Sequence, residues 1–141
     1  YYFPEGKEQI GAETALWSAE QMAVRIEQGL AQAEDPAEAV RLLALGIAGA
    51  VESSGFAAGG PLMMLSAESA VRSERVNTAC REAYANMQAV FSAKLGGDEE
   101  LAGLILATLE GAILLSRVRH SGEPLRSAAA HLYSYLKARQ I

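Results

Sequence analysis

EELAGLILATLEGAILLSRVR, residues Glu99 to Arg119, is the most apolar segment of the chain, and its apolar positions do not keep to one side. On a helical wheel Leu101, Ile105, Leu106, Leu109 and Ile113 share one broad arc, while Leu104, Leu114, Leu115 and Val118 lie across from them. Only a narrow strip with Glu110 and Arg117 stays polar. A helix apolar on nearly all sides must be buried on nearly all sides, and a small domain covers one flank of it more easily than both. Gly103, Ala107 and Gly111 recur every four residues beside Leu104 and Leu114, an arrangement that lets another helix backbone approach closely. The segment therefore reads as a helix between the domain's own core and a partner subunit. The plainer alternative is a central helix wrapped wholly by its own domain. A membrane span is not expected, because Glu110 interrupts an apolar run already shorter than the ~20 residues a bilayer needs.

Composition bounds the rest. At 141 residues the chain has the size of one domain and can bury a substantial core. It is 50% hydrophobic, with alanine and leucine abundant and Gly and Pro clustered in a few places, which is an all-α signature. A net charge of -5 argues against this polypeptide binding nucleic acid by itself. The single cysteine, Cys80, rules out an internal disulfide framework and fits a reducing, cytoplasmic setting. The chain opens on Tyr-Tyr-Phe without an initiator Met, so upstream residues are expected to have been removed, cleaved or left out.

Along the chain, Tyr1 to Gly6 reads as the tail of an earlier element, because Pro4 disfavours helix at Phe3 and a Gly turn follows. Lys7 to about Gln32 reads as a long helix. Ile10, Trp17 and Val24 fall seven apart on it, with Leu16, Ala23 and Leu30 beside them, giving one apolar stripe and one wet face. Asp35-Pro36-Ala37-Glu38 is a strong helix start, with Asp as N-cap and Pro in the first helical position. That helix carries Val40, Leu43, Ile47 and Val51 on one face and should end near Ser54. Gly55 to Gly60 is a loop, and Pro61 opens a short helix through Leu65. After a break near Ser73, a stripe from Val76 through Ala83, Met87 and Phe91 marks another helix, closed by Gly96-Gly97. Asp98 caps the helix quoted first. Ser121 to Pro124 turns the chain into a last helix with Leu125, Ala129, Leu132 and Leu136 inward. The expectation is about six helices and no strand.

Tyr1-Tyr2-Phe3-Pro4-Glu5-Gly6-Lys7-Glu8-Gln9-Ile10 resembles the junction after the helix-turn-helix of TetR-family transcriptional regulators, particularly the LmrA/YxaF-like subgroup. There an aromatic run closes the recognition helix and a Lys-Glu pair opens a long connector helix. The order of elements downstream also agrees across essentially the whole chain. The subgroup often shows Gly-Cys-Pro where this chain has Gly59-Gly60-Pro61, so any role of that cysteine is absent here. The resemblance implies residues 1–6 as the end of a DNA-binding domain and 7–141 as a ligand-binding and dimerisation domain. It implies a homodimer whose last two helices form a four-helix interface, with Gly103, Leu104, Ala107, Gly111, Leu114, Val118, Leu132 and Leu136 as its residues. Of the DNA-facing positions only Tyr1, Tyr2 and Lys7 remain, so operator DNA would be bound only through the missing N-terminal domain. A ligand that tilts the connector helix would spoil the spacing of the two recognition helices, provided that it binds the two arrangements with different affinity.

The expected ligand pocket lies among the connector helix, the short Met-rich helix and the Val76 to Phe91 stripe. Trp17, Phe56, Met63, Met64, Tyr84, Met87 and Phe91 supply large adaptable apolar surface for an apolar or aromatic small-molecule effector. The alternative for each is plain core packing. Asn77 and Glu110 are candidate polar contacts. No cofactor, metal site or catalytic group is expected. His120 and His131 are not at metal-ligand spacing, Cys80 sits on an apolar stripe, and no nucleophile elbow or phosphate loop occurs. The function implied is the sensing domain of a TetR-like repressor. The competing reading is a helical small-molecule-binding or scaffold module without DNA-binding function.

Overall fold

A computed structural model describes residues 5–55, 68 and 71–141. Five helices are described: α1 (Glu5–Leu30), α2 (Pro36–Ser53), α3 (Glu74–Lys94), α4 (Glu99–Arg119) and α5 (Glu123–Ala138). The short helix expected at Pro61 to Leu65, and with it Phe56, Met63 and Met64, lies outside the described residues, as do Tyr1 and Tyr2. Among the described residues there is no strand.

Helix starts follow the side chains that satisfy their first N–H groups. Asp35 accepts from the Glu38 amide at 3.1 Å, Ser73 from Val76 at 3.2 Å and Asp98 from Leu101 at 3.0 Å. The stops are equally local. Gly96 and Gly97 take φ +70° and +93° after α3, a region in which a Cβ is strained, and the Gly97 amide returns to the Ser92 carbonyl at 2.8 Å. His120 takes the same left-handed role after α4, at φ 51°.

The helices form one bundle. α1 lies along α3, α2 lies along α5, and α4 sits between α3 and α5 while also touching α2. Large side chains from every helix meet inside, with Ile26, Val40, Val76, Met87, Phe91, Ile105, Leu125 and Leu136 all buried. Where α1 and α2 approach, Gly29 leaves room for the end of Leu43, whose Cδ1 lies 2.5 Å from the place of an added Cβ and would have to turn aside for it. At one end of the bundle α5 ties two helix starts together. Lys137 pairs with the α2 cap Asp35 at 2.7 Å, and Arg139 with the α4 cap Asp98 at 3.7 Å. At the other end Arg126 pairs with Glu52 of α2 at 2.6 Å.

One expectation is overturned. Ile10, Trp17 and Val24 are 65%, 60% and 51% exposed, so the seven-residue stripe of α1 is its outer side. The inward face is instead built from small residues, Ala12, Ala15, Ser18 and Ala19, followed by Ile26 and Leu30. Small side chains let α1 and α3 pack closely, and large ones at those positions would hold them apart.

The hydrogen bond from Lys137 holds the Asp35 carboxyl below its ordinary range. A depressed folded pKa means stability that is present above the unfolded value and lost as pH falls through the folded one. The melting temperature of the native chain is expected to exceed that of Asp35→Asn, which keeps the cap, above about pH 4. The two should converge on further acidification. Thermal unfolding across an acid pH series checks this, and a constant separation would contradict it.

Candidate functional site

α4 buries only part of its apolar surface. Leu101, Ile105, Leu106, Leu109, Ala112 and Ile113 enter the core. Leu104, Leu114, Leu115 and Val118 remain 46%, 51%, 44% and 72% exposed, with Ala107 and Gly111 open between them. By length and composition α4 is also apolar enough to cross a membrane. Its inward half is nevertheless committed to the bundle, so the outer strip is what stands without cover.

The small residues of α4 divide between two duties. Gly103 faces α3 within the same chain, where an added Cβ would meet the Gln88 amide nitrogen at 3.3 Å. Gln88 bridges there to the Glu99 carbonyl at 2.9 Å. Gly111 has nothing within 4 Å of an added Cβ and stays available to an outside helix. Gly103 thus serves the α3–α4 seam, contrary to its expected place on the partner-facing strip.

On α5 the expected interface residues Leu132 and Leu136 are buried in the chain's own core, at 6% and 0% exposure. Their side of the helix points inward because Leu125, Ala129, Leu132 and Leu136 share one face. Arg126, paired to Glu52, marks the flank of α5 toward α2. The opposite flank carries Pro124, Ala128, His131 and Tyr135, of which His131 and Tyr135 are exposed. That flank, spaced four, three and four residues apart, was readable from the inward assignment of its neighbours, since it is the adjacent row of the same helix.

The predicted effector residues do not gather in one place among the described residues. Met87 and Phe91 are each 1% exposed and fill the core, whereas Trp17 stands outside. Tyr84 lies on the α3–α4 seam, half-buried, and its hydroxyl donates to Glu110 Oε2 at 3.4 Å. Burial pushes the Glu110 carboxyl above its ordinary range, and the bond from Tyr84 offsets part of that rise. Asn77 lies half-buried in the first turn of α3. Two hydroxyls that sequence reading did not single out, Ser18 and Ser116, are buried without a hydrogen-bond partner.

Other candidates fall as follows. Lys7 is exposed in the first turns of α1. Cys80 is buried, His131 is exposed on α5, and His120 ends α4. Among the described residues no group of three or more His, Cys, Asp or Glu side chains is placed to hold a metal.

Residues 36–131 match the family model described as transcriptional regulator LmrA/YxaF-like, C-terminal domain. The chain belongs to that family. It is 31% identical over 132 residues to the uncharacterized HTH-type transcriptional regulator YxaF of Bacillus subtilis (strain 168), covering 89% of this chain and 69% of that protein. It is 30% identical over 144 residues to the HTH-type transcriptional regulator LmrA of the same organism, covering 97% of this chain and 77% of that protein. The five described helices are thus a TetR-type C-terminal domain, and the family is one of transcriptional regulators. Membership favours the regulator reading over the free-standing carrier or scaffold.

Glu110 yields a prediction with a definite sign. A raised folded pKa makes the ionised carboxylate a cost to the fold, full above that pKa and relieved as pH falls toward the unfolded value. Glu110→Gln is expected to be more stable than the native chain near neutral pH, with the margin narrowing toward about pH 5. Urea unfolding at several pH values checks it, and a margin independent of pH would contradict it.

Proposed function

We propose that this chain is the effector-sensing and self-associating part of a TetR-like repressor, working in the cytoplasm as a homodimer and released from its operator by an apolar or aromatic small molecule. The observation that carries the reading is the outer strip of α4. Leu104, Leu114, Leu115 and Val118 flank Ala107 and Gly111, and the α5 row of Ala128, His131 and Tyr135 extends the same side. Small residues at the centre and aliphatic ones around them suit two close-packed helices from a second copy. Covering the exposed halves of those four aliphatic side chains contributes on the order of 4 kcal/mol before the costs of association.

In this reading residues 1–6 are the end of a DNA-binding domain, 7–141 are the sensing domain, and Tyr1, Tyr2 and Lys7 lie near DNA. Lys7 supports it by standing exposed near a helix N-terminus, where a phosphate is favoured. The effector reading is supported by Tyr84, half-buried on the α3–α4 seam beside Glu110. Ser18, buried on α1 without a hydrogen-bond partner, supplies a candidate polar contact. An effector that binds one tilt of α1 better than the other shifts the population of DNA-competent dimers.

The test of self-association uses exposed positions only. Leu114→Glu combined with Val118→Glu is expected to weaken the dimer at least a hundredfold, ~3 kcal/mol, while leaving helicity and melting of the subunit intact. Sedimentation velocity over a concentration series reads the change. An unaltered sedimentation coefficient would remove the α4 strip from the interface.

A further inference from the structure

The outer side of α1 carries an apolar row that enters no core. Ile10, Trp17 and Val24 stand seven residues apart at 65%, 60% and 51% exposure, opposite the Ala12, Ala15 and Ala19 face that packs inward. Seven residues fall about 20° short of two full helical turns, so the row winds slowly and next reaches Ala31. There it runs into a groove of about 530 Å³ between the ends of α1 and α3, floored by Leu30, Val90 and the alanines Ala31, Ala89 and Ala93 and edged by Glu27 and by Lys94, whose Nζ donates to the Ala33 carbonyl at 2.7 Å. Single exposed apolar side chains are ordinary, whereas these three share one heptad position and lead into a groove.

The flanks of the row choose its occupant. Glu13, Glu20 and Glu27 each follow an apolar member by three residues and are all exposed. Thr14, Gln21 and Gln28 follow by four, so one flank is acidic throughout and the other carries no charge at those positions. Two copies of α1 laid antiparallel would set glutamate row against glutamate row. Laid parallel, the glutamates would meet chiefly Thr and Gln, with only Lys7 and Arg25 near the two ends of that side to pair. An anionic membrane surface would be repelled by the same row. A foreign helix with one apolar residue per heptad and a Lys or Arg row beside it meets both features at once.

We propose that the outer face of α1 is a docking site for a basic amphipathic helix of another protein, seated with its apolar row on Ile10, Trp17 and Val24 and its cationic row on Glu13, Glu20 and Glu27. This surface is separate from the α4 strip, so docking here and self-association there are independent. Its position on α1 is also the place from which a bound partner would bias the tilt of the connector helix.

Trp17 is the single tryptophan of the chain and reports directly on the event. The probe is a synthetic helical peptide of about three heptads, with Leu at every seventh position and Lys at the flanking ones, compared with the same peptide carrying Glu for Lys. The Lys peptide is expected to shift Trp17 emission to the blue with saturation, and the Glu peptide to leave it unchanged. Ile10→Ser with Val24→Ser, which keeps Trp17, should weaken binding at least tenfold, ~1.4 kcal/mol. Glu13→Lys, Glu20→Lys and Glu27→Lys together should reverse the preference between the two peptides. No emission change with the Lys peptide, or an equal change with both peptides, would overturn the proposal, and either result can be had on the native chain alone.

Discussion

The structure turns on a helix that has too much apolar surface for the bundle around it. α4 gives its Leu101 to Ile113 arc to the core and touches three other helices, yet keeps Leu104, Leu114, Leu115 and Val118 exposed, at 44% to 72%. None of the other described helices covers this strip, because each is engaged elsewhere. α1 lies along α3, and α5 turns its leucines toward α2 and the core. An exposed aliphatic strip centred on Ala107 and Gly111 is costly in water and well shaped for a helix of a second copy. Self-association is the simplest outcome of that excess.

Around α4 the fold is held by local devices that fix where helices begin and end. Asp35 and Asp98 each cap a helix and also receive a basic side chain from the end of α5. The same carboxylate thus satisfies backbone N–H groups and anchors another element, which couples the register of α2, α4 and α5. Ser73 works similarly, accepting from Val76 while its hydroxyl donates to Glu8 of α1 at 3.0 Å. That bond fixes the start of α3 beside the start of α1.

Much of this was legible in the sequence, and the failures share a cause. Asp35-Pro36 and Asp98 announce their helices because capping needs particular side chains at particular offsets, and Gly96-Gly97 marks a stop because only a positive φ fits there. The two-sided character of α4 was visible in its composition. What pattern reading missed was direction. Ile10, Trp17 and Val24 looked like a core stripe because they are large, whereas close packing against α3 selects the alanines on the other side of α1. Gly103 looked like part of an interface because of its spacing, whereas Gln88 of α3 already fills the space over it. Leu132 and Leu136 are inward by their own periodicity, which leaves the neighbouring row through His131 and Tyr135 exposed. Spacing fixes which residues share a face; which neighbour that face meets depends on the size of all the side chains around it. The effector side is less legible still, since Met87 and Phe91 have the chemistry of a pocket lining and the burial of core.

The central claim is that the outer strip of α4 is covered by a second copy of the chain, and site-specific labelling asks this directly. In a Cys80→Ser background, Ala107→Cys places a thiol in the middle of the strip, and Ala85→Cys places one on the exposed side of α3. The account predicts that maleimide labelling of Ala107→Cys slows as protein concentration rises while that of Ala85→Cys does not change. Equal labelling of both thiols at every concentration would contradict it.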